Sequence, residues 1–116
     1  MINKTVMTLA ILAVSGCASI QIPPDRLAGN EASMRGAEEL GASGVPAAKL
    51  HLQLAREQTV LAKKLAADGD DRAVMMLARA QSDAELSLGL AREVSVHADA
   101  QRAADELKAV RARGTP

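Results

Sequence analysis

Apolar residues along this chain recur every three or four positions, the spacing of a helix face, and polar, glycine- and proline-rich stretches separate the runs. The clearest run starts at residue 71 and reaches about 111, interrupted only by Gly89. Within it Ala73, Leu77, Ala80, Ala84, Ser87, Ala91, Val94 and Ala98 step by four and three, a heptad seam made of small side chains. Past that seam the apolar face drifts to Ala100, Ala103, Leu107 and Val110, so the surface it meets, or its supercoil, changes. A second helix is predicted over 46–67, with Pro46 in its first turn, Leu50, Leu54, Leu61 and Leu65 on one face, and Lys63 and Lys64 near its carboxyl end. A first helix over 25–41 rests on Leu27, Met34 and Gly41, with Ala37 and Leu40 nearby, and is weakened by Gly29 and Gly36.

Two punctuation marks divide these helices. GASGVP at 41–46 supplies two glycines and a proline. DGDD at 68–71 offers Gly69 for a left-handed helix stop and Asp70 or Asp71 as an amino-terminal cap. The expected lengths are roughly 25, 33 and 60 Å. The first two helices laid end to end match the third. The predicted fold is therefore all-α: an elongated antiparallel helical hairpin whose short arm is broken near 41–46. A three-helix bundle is the alternative, and it would leave the carboxyl half of the third helix unsupported or bent.

Composition narrows the function. The chain has no Phe, Tyr or Trp, and alanine makes up more than a fifth of the part after Cys17. Alanine favours helix and lets neighbouring helices approach closely, but an alanine core builds few ligand cavities. Fourteen basic residues balance fourteen acidic ones. No large net charge is available to hold a nucleic acid, so no nucleic-acid partner is expected.

The amino terminus follows a different rule. Lys4 precedes a short apolar stretch, Val6 to Val14, which is too short for a comfortable bilayer span of about 20 residues. Val14, Ser15 and Gly16 then lead into Cys17, the only cysteine. This order resembles the lipobox of bacterial lipoproteins. Small side chains let an extended backbone enter a membrane-embedded protease, and a thiol is the nucleophile that takes a thioether-linked diacylglycerol. The resemblance implies a signal peptide at 1–16 and acylation of Cys17, which becomes the new amino terminus carrying diacylglycerol and an N-acyl chain. Several acyl chains anchor stably where one does not. Ala18 is not the aspartate that commonly retains lipoproteins in the inner membrane, which implies the periplasmic face of the outer membrane, with the inner membrane's periplasmic face as the alternative.

Residues 17–24 then form the lipidated cysteine and a tether with Pro23 and Pro24, 25–111 the alanine-rich helical domain, and 112–116 a frayed end. The seven residues 18–24 reach about 23 Å at most, so the domain stays near the membrane.

Candidate chemistry is sparse. DGDD does not make a calcium loop: counted from Asp68, loop positions 5 and 12 fall on Arg72 and Arg79. Glu93 and His97 lie four apart, too few for a zinc site, with His51 distant in sequence. Ser82, Ser87 and Ser95 sit on a helix rather than the strained turn hydrolases use. No cofactor, metal or catalytic residue is assigned, and the chain is read as a non-enzyme. Met75, Met76, Leu86, Leu88 and Leu90 widen the apolar surface of the third helix and form the candidate interaction surface, for another copy or an envelope protein. The chain ends ARGTP rather than in the lysine that links a Braun-type lipoprotein to peptidoglycan, so no covalent wall link by that route is expected.

CAS at 17–19, the proline pair at 23–24, GASGVP, Leu50, Ala55, AADGDDRA at 66–73 and LARAQSDAELSLGLA at 77–91 together resemble small bacterial envelope lipoproteins that carry a helical domain of unknown function, numbered 4398. That family often places aromatics before the first loop's proline and in the second turn, where this chain has Val45 and Arg72. The resemblance implies a periplasmic helical lipoprotein, sometimes fused to or encoded beside OmpA-like peptidoglycan-binding domains, with no established reaction. The expected function is a non-catalytic, membrane-anchored structural or adaptor module. A lipid- or small-ligand-binding chaperone and an accessory subunit or inhibitor of an envelope enzyme are the alternatives.

Overall fold

The structure, a computed structural model, describes residues 19–114. Three α-helices account for nearly all of them: α1 (Pro24–Glu39), α2 (Pro46–Ala67) and α3 (Arg72–Gly114). Each of the first two begins on a proline in its first turn, where the missing N–H would have had no partner. The third continues to Gly114, past the expected frayed end at 112, and Thr115 and Pro116 lie outside the described residues.

Backbone geometry at the two punctuation marks explains where the chain reverses. Gly69 has φ 72°, and the N–H of Asp70 donates to the Leu65 carbonyl at 2.9 Å while that of Gly69 donates to Ala66 at 3.1 Å. This pair of bonds satisfies carbonyls that the end of α2 would otherwise leave open. Gly41, at φ 80°, ends α1 in the same left-handed conformation, and a short 3₁₀ turn, Ala42–Gly44, carries the chain into α2. An L side chain at either glycine would strain the backbone.

The break at 41–46 reverses the chain rather than merely kinking it. Glu31 pairs with Lys63 at 3.0 Å, Glu38 pairs with Arg56, and Asn30 Nδ2 donates to Thr59 Oγ1 at 2.6 Å. Later residues of α1 therefore meet earlier residues of α2, so the two run antiparallel. The hairpin is α2 with α3, α1 lies beside it as a third helix, and the three-helix alternative describes residues 24–91. The first two helices are thus not end to end, and the anticipated consequence follows. Residues 92–114 of α3 project past the bundle, all exposed except the half-buried Ser95.

Close packing of small residues holds the bundle. On α3 the buried seam is Ala73, Leu77, Ala80, Ala84, Ser87 and Ala91, as its periodicity predicts up to that point; Val94 is exposed beyond it. The matching seam of α2 is Ala48, Leu52, Ala55, Thr59 and Ala62, which corrects the expected leucine face. Leu50 and Leu61 are exposed, and Leu54 and Leu65 are half-buried. Helices packed this closely fill most of the contact with alanines, so Leu52 and Leu77 are the leucines buried in the two seams and the other leucines of α2 flank the contact. On α1 the buried residues are Asn30 and Ala37. At the loop end, Ala37, Ala42, Ala48, Leu52 and Ala91 form a core cluster, covered by Met34, Val45, Leu88 and Leu90.

Candidate functional site

Val14, Ser15, Gly16 and Cys17, the expected recognition and lipidation residues, lie outside the described residues. The residues expected to form an interaction surface all sit on α3, but they do not share one face. Met75, 64 % exposed, and Leu86 line a shallow open hollow of about 470 Å³ together with Ala78, Arg79, Ser82 and Asp83. Leu88 turns the other way, toward α1: a Cβ built on Gly36 would lie 3.3 Å from its Cδ1. Leu90 packs with it on the core cluster, and Met76 is half-buried. The bundle has thus claimed Leu88 and Leu90, while Met75 and Leu86 stay open to solvent.

Several polar groups join one helix to another. His51 Nδ1 and Asp83 Oδ1 are 2.8 Å apart, and Gln58 Nε2 donates to Asp83 Oδ2 at 2.8 Å, so both carboxylate oxygens are used between α2 and α3. A histidine held by a carboxylate is half of a hydrolytic constellation, but the hydroxyls of Ser82 and Ser87 bond backbone carbonyls rather than His51. Ser87 Oγ is buried and donates to the Ala48 carbonyl at 2.7 Å, and Ser82 Oγ donates back to Ala78 O at 3.2 Å. His97 is 3.9 Å from Glu93 on the projecting half of α3. It stands 14 residues past Asp83 and its partner His51, roughly 21 Å along the helix.

Among the described residues no group of three or more His, Cys, Asp or Glu side chains is arranged to hold a metal ion. In the DGDD turn, Asp70 Oδ1 accepts the Arg72 N–H at 2.9 Å and both its oxygens accept the Arg72 guanidinium. Those bonds lower its pKa from 3.8 to about 2, the side-chain bond contributing most, and raise that of Arg72. Asp70 is the cap of α3. A second open hollow, about 440 Å³, lies where Glu38, Ser43, Lys49, Leu52, Gln53 and Arg56 meet, with the Glu38–Arg56 pair at its rim.

Nothing in the sequence marks the buried Asn30–Thr59 contact, because neither residue interrupts an apolar face. The sequence pattern shows only the last part of the apolar stripe on the projecting half of α3, where Val96, Leu107 and Val110 are 59 %, 50 % and 63 % exposed. None of the helices described is long and apolar enough to cross a membrane. No protein-family model, no curated protein and no solved structure matches this chain.

Proposed function

We propose that the chain is a non-catalytic lipoprotein of the bacterial envelope, anchored through acylated Cys17 in the outer membrane's periplasmic face, that serves as a structural or adaptor module. The observation that carries this reading is the opposition of its two ends. α1 starts level with the 68–71 turn, since Asn30 and Glu31 meet Thr59 and Lys63 near the end of α2. The projecting half of α3 leaves from the other end of the bundle. An anchor ahead of α1 therefore holds one end, while residues 92–114 extend roughly 34 Å beyond the bundle on the side away from the tether.

The lipobox at 14–17 and the resemblance to envelope lipoproteins with the helical domain numbered 4398 support the same function. So does the allocation of side chains: alanine seams close on each other, and buried polar groups join helix to helix. An envelope protein, for example an OmpA-like peptidoglycan-binding component, is the proposed kind of partner.

The test is fractionation of a host producing the native chain or Cys17→Ser. The native chain is expected in the membrane pellet, and Cys17→Ser as uncleaved precursor or in the soluble periplasm with no acyl label. Native chain released by osmotic shock and unlabelled by fatty acid would overturn the proposal.

A further inference from the structure

The solvent face of α3 carries a second heptad seam. Val96, Ala100, Ala103, Leu107, Val110 and Gly114 alternate by four and three, and all are exposed. The same alternation runs backwards through Glu93, Gly89, Leu86, Ser82 and Arg79 to Met75, so the open hollow in the bundle and the stripe on the projecting half are one line. At 100° per residue this line lies roughly 160° around the helix from the buried seam, facing away from both α1 and α2. Val96, Leu107 and Val110 fall on two positions per heptad, the seam spacing of a paired helix, and Val94 lies off that line. We infer that it pairs antiparallel with the same seam of a second copy of this chain.

Charge chooses the direction and the register. Parallel pairing in register would set Glu93 against Glu93 and Arg79 against Arg79. Antiparallel pairing centred near residue 98 sets Leu86 opposite the partner's Val110, Gly89 opposite the partner's Leu107, and Val96 opposite the partner's Ala100. Glu85 then flanks the partner's Arg113, and Arg92 flanks the partner's Glu106, each pair formed twice by symmetry. Sliding by one heptad sets Asp99 against Glu106 in one direction and Glu85 against Glu106 in the other. The chosen register leaves one unfavourable pair, Asp99 facing its own copy, and Arg102 already lies 3.1 Å from that carboxylate.

Gly89 gains a purpose from this pairing. An exposed glycine inside a helix costs about 1 kcal/mol against alanine. Apart from the adjacent backbone of α3, no atom of the described residues lies within 4 Å of where a Cβ would stand, so the bundle does not require it. A leucine arriving from a partner does.

The pairing does not depend on the anchor proposed for Cys17. If both hold, the two tethers leave from opposite ends of one rod, roughly 70 Å apart, and the rod lies along the membrane.

The test uses the full chain, extracted in mild detergent, with two reads. Sedimentation is expected to give a dimer at micromolar concentration. Glu85→Arg or Arg113→Glu alone should weaken it at least tenfold, and the two together should restore it. Leu107→Glu, outside the bundle core, should give a monomer with unchanged helix content. Leu86→Cys in one tagged copy should form a disulfide with Val110→Cys in another, and not with Leu86→Cys. A monomeric native chain, Leu86-to-Leu86 crosslinks, or a seam protected only by lipid vesicles or by a different protein would each overturn the inference. None of these outcomes alters whether Cys17 is acylated.

Discussion

The Ser87 hydroxyl on α3 donates to the Ala48 carbonyl on α2 at 2.7 Å, and both residues are fully buried. A side chain this short bonds a neighbouring backbone only where two helices come very close, which is what an alanine seam permits. Ser87→Ala keeps the volume nearly unchanged and removes one buried bond, so it should cost about 1 kcal/mol, or roughly 4–8 °C in Tm. Ser87→Leu must push the helices apart and should cost more than Ser87→Ala. Thermal melts followed by circular dichroism check both. Equal midpoints for the two variants would contradict this close approach of α2 and α3.

Asn30 sits in the interior with its Nδ2 bonded to Thr59, whose hydroxyl in turn donates to Ala55 O at 2.6 Å, while Asn30 Oδ1 has no partner among the described residues. Asn30→Ala leaves a void and an unpaired Thr59 lone pair, and should cost about 1–3 kcal/mol. Asn30→Leu combined with Thr59→Val removes the buried polar groups together, and its midpoint should equal or exceed that of the native chain. A double variant less stable than Asn30→Ala would show that the amide stabilises the fold as well as aligning α1 with α2.

The two glycines of α1 separate by environment. Apart from the adjacent backbone of α1, no atom of the described residues lies within 4 Å of a Cβ built on Gly29, whereas one on Gly36 meets Leu88 Cδ1 at 3.3 Å. Gly29→Ala should therefore gain about 0.5–1 kcal/mol from helix propensity alone. Gly36→Ala should gain less, because the leucine must yield. Urea midpoints in the opposite order would contradict this packing of α1 on α3.

Acid should loosen the 68–71 turn. Asp70 has a folded pKa of about 2 against an ordinary value of 3.8, so the folded state favours its ionised form. Its stabilising effect is complete above pH 3.8 and is lost as pH falls through about 2. Asp70→Asn keeps an acceptor for the cap and should flatten that part of the pH–stability curve. The curve is measured by denaturant titration between pH 5 and 2, and an identical slope in native and variant proteins would assign the acid sensitivity elsewhere.

How much of this was legible follows from what each residue does alone. Gly69, Pro46 and the Asp70 cap act within a few residues of themselves, so their roles are read directly from sequence. The α3 ladder was legible because its heptad is regular. The α2 seam was misassigned because leucine outweighs alanine on any hydrophobic scale, while the choice between them was made by the alanines across the interface. The return of α1 beside α2 rests on Glu31, Glu38 and Asn30 finding partners some 18 to 32 residues away, and nothing local announces that. The matching lengths of the helices pointed to an end-to-end layout, but Gly41 reverses the chain within a few residues and leaves the end of α3 uncovered.

The account of function rests on what happens at Cys17, and the intact mass of the chain recovered from its own membrane tests that most directly. The predicted result is a polypeptide that begins at Cys17 and carries a diacylglycerol and an N-acyl chain on that residue. A chain that still begins at Met1, or one trimmed at another residue with no added fatty acid, would contradict it.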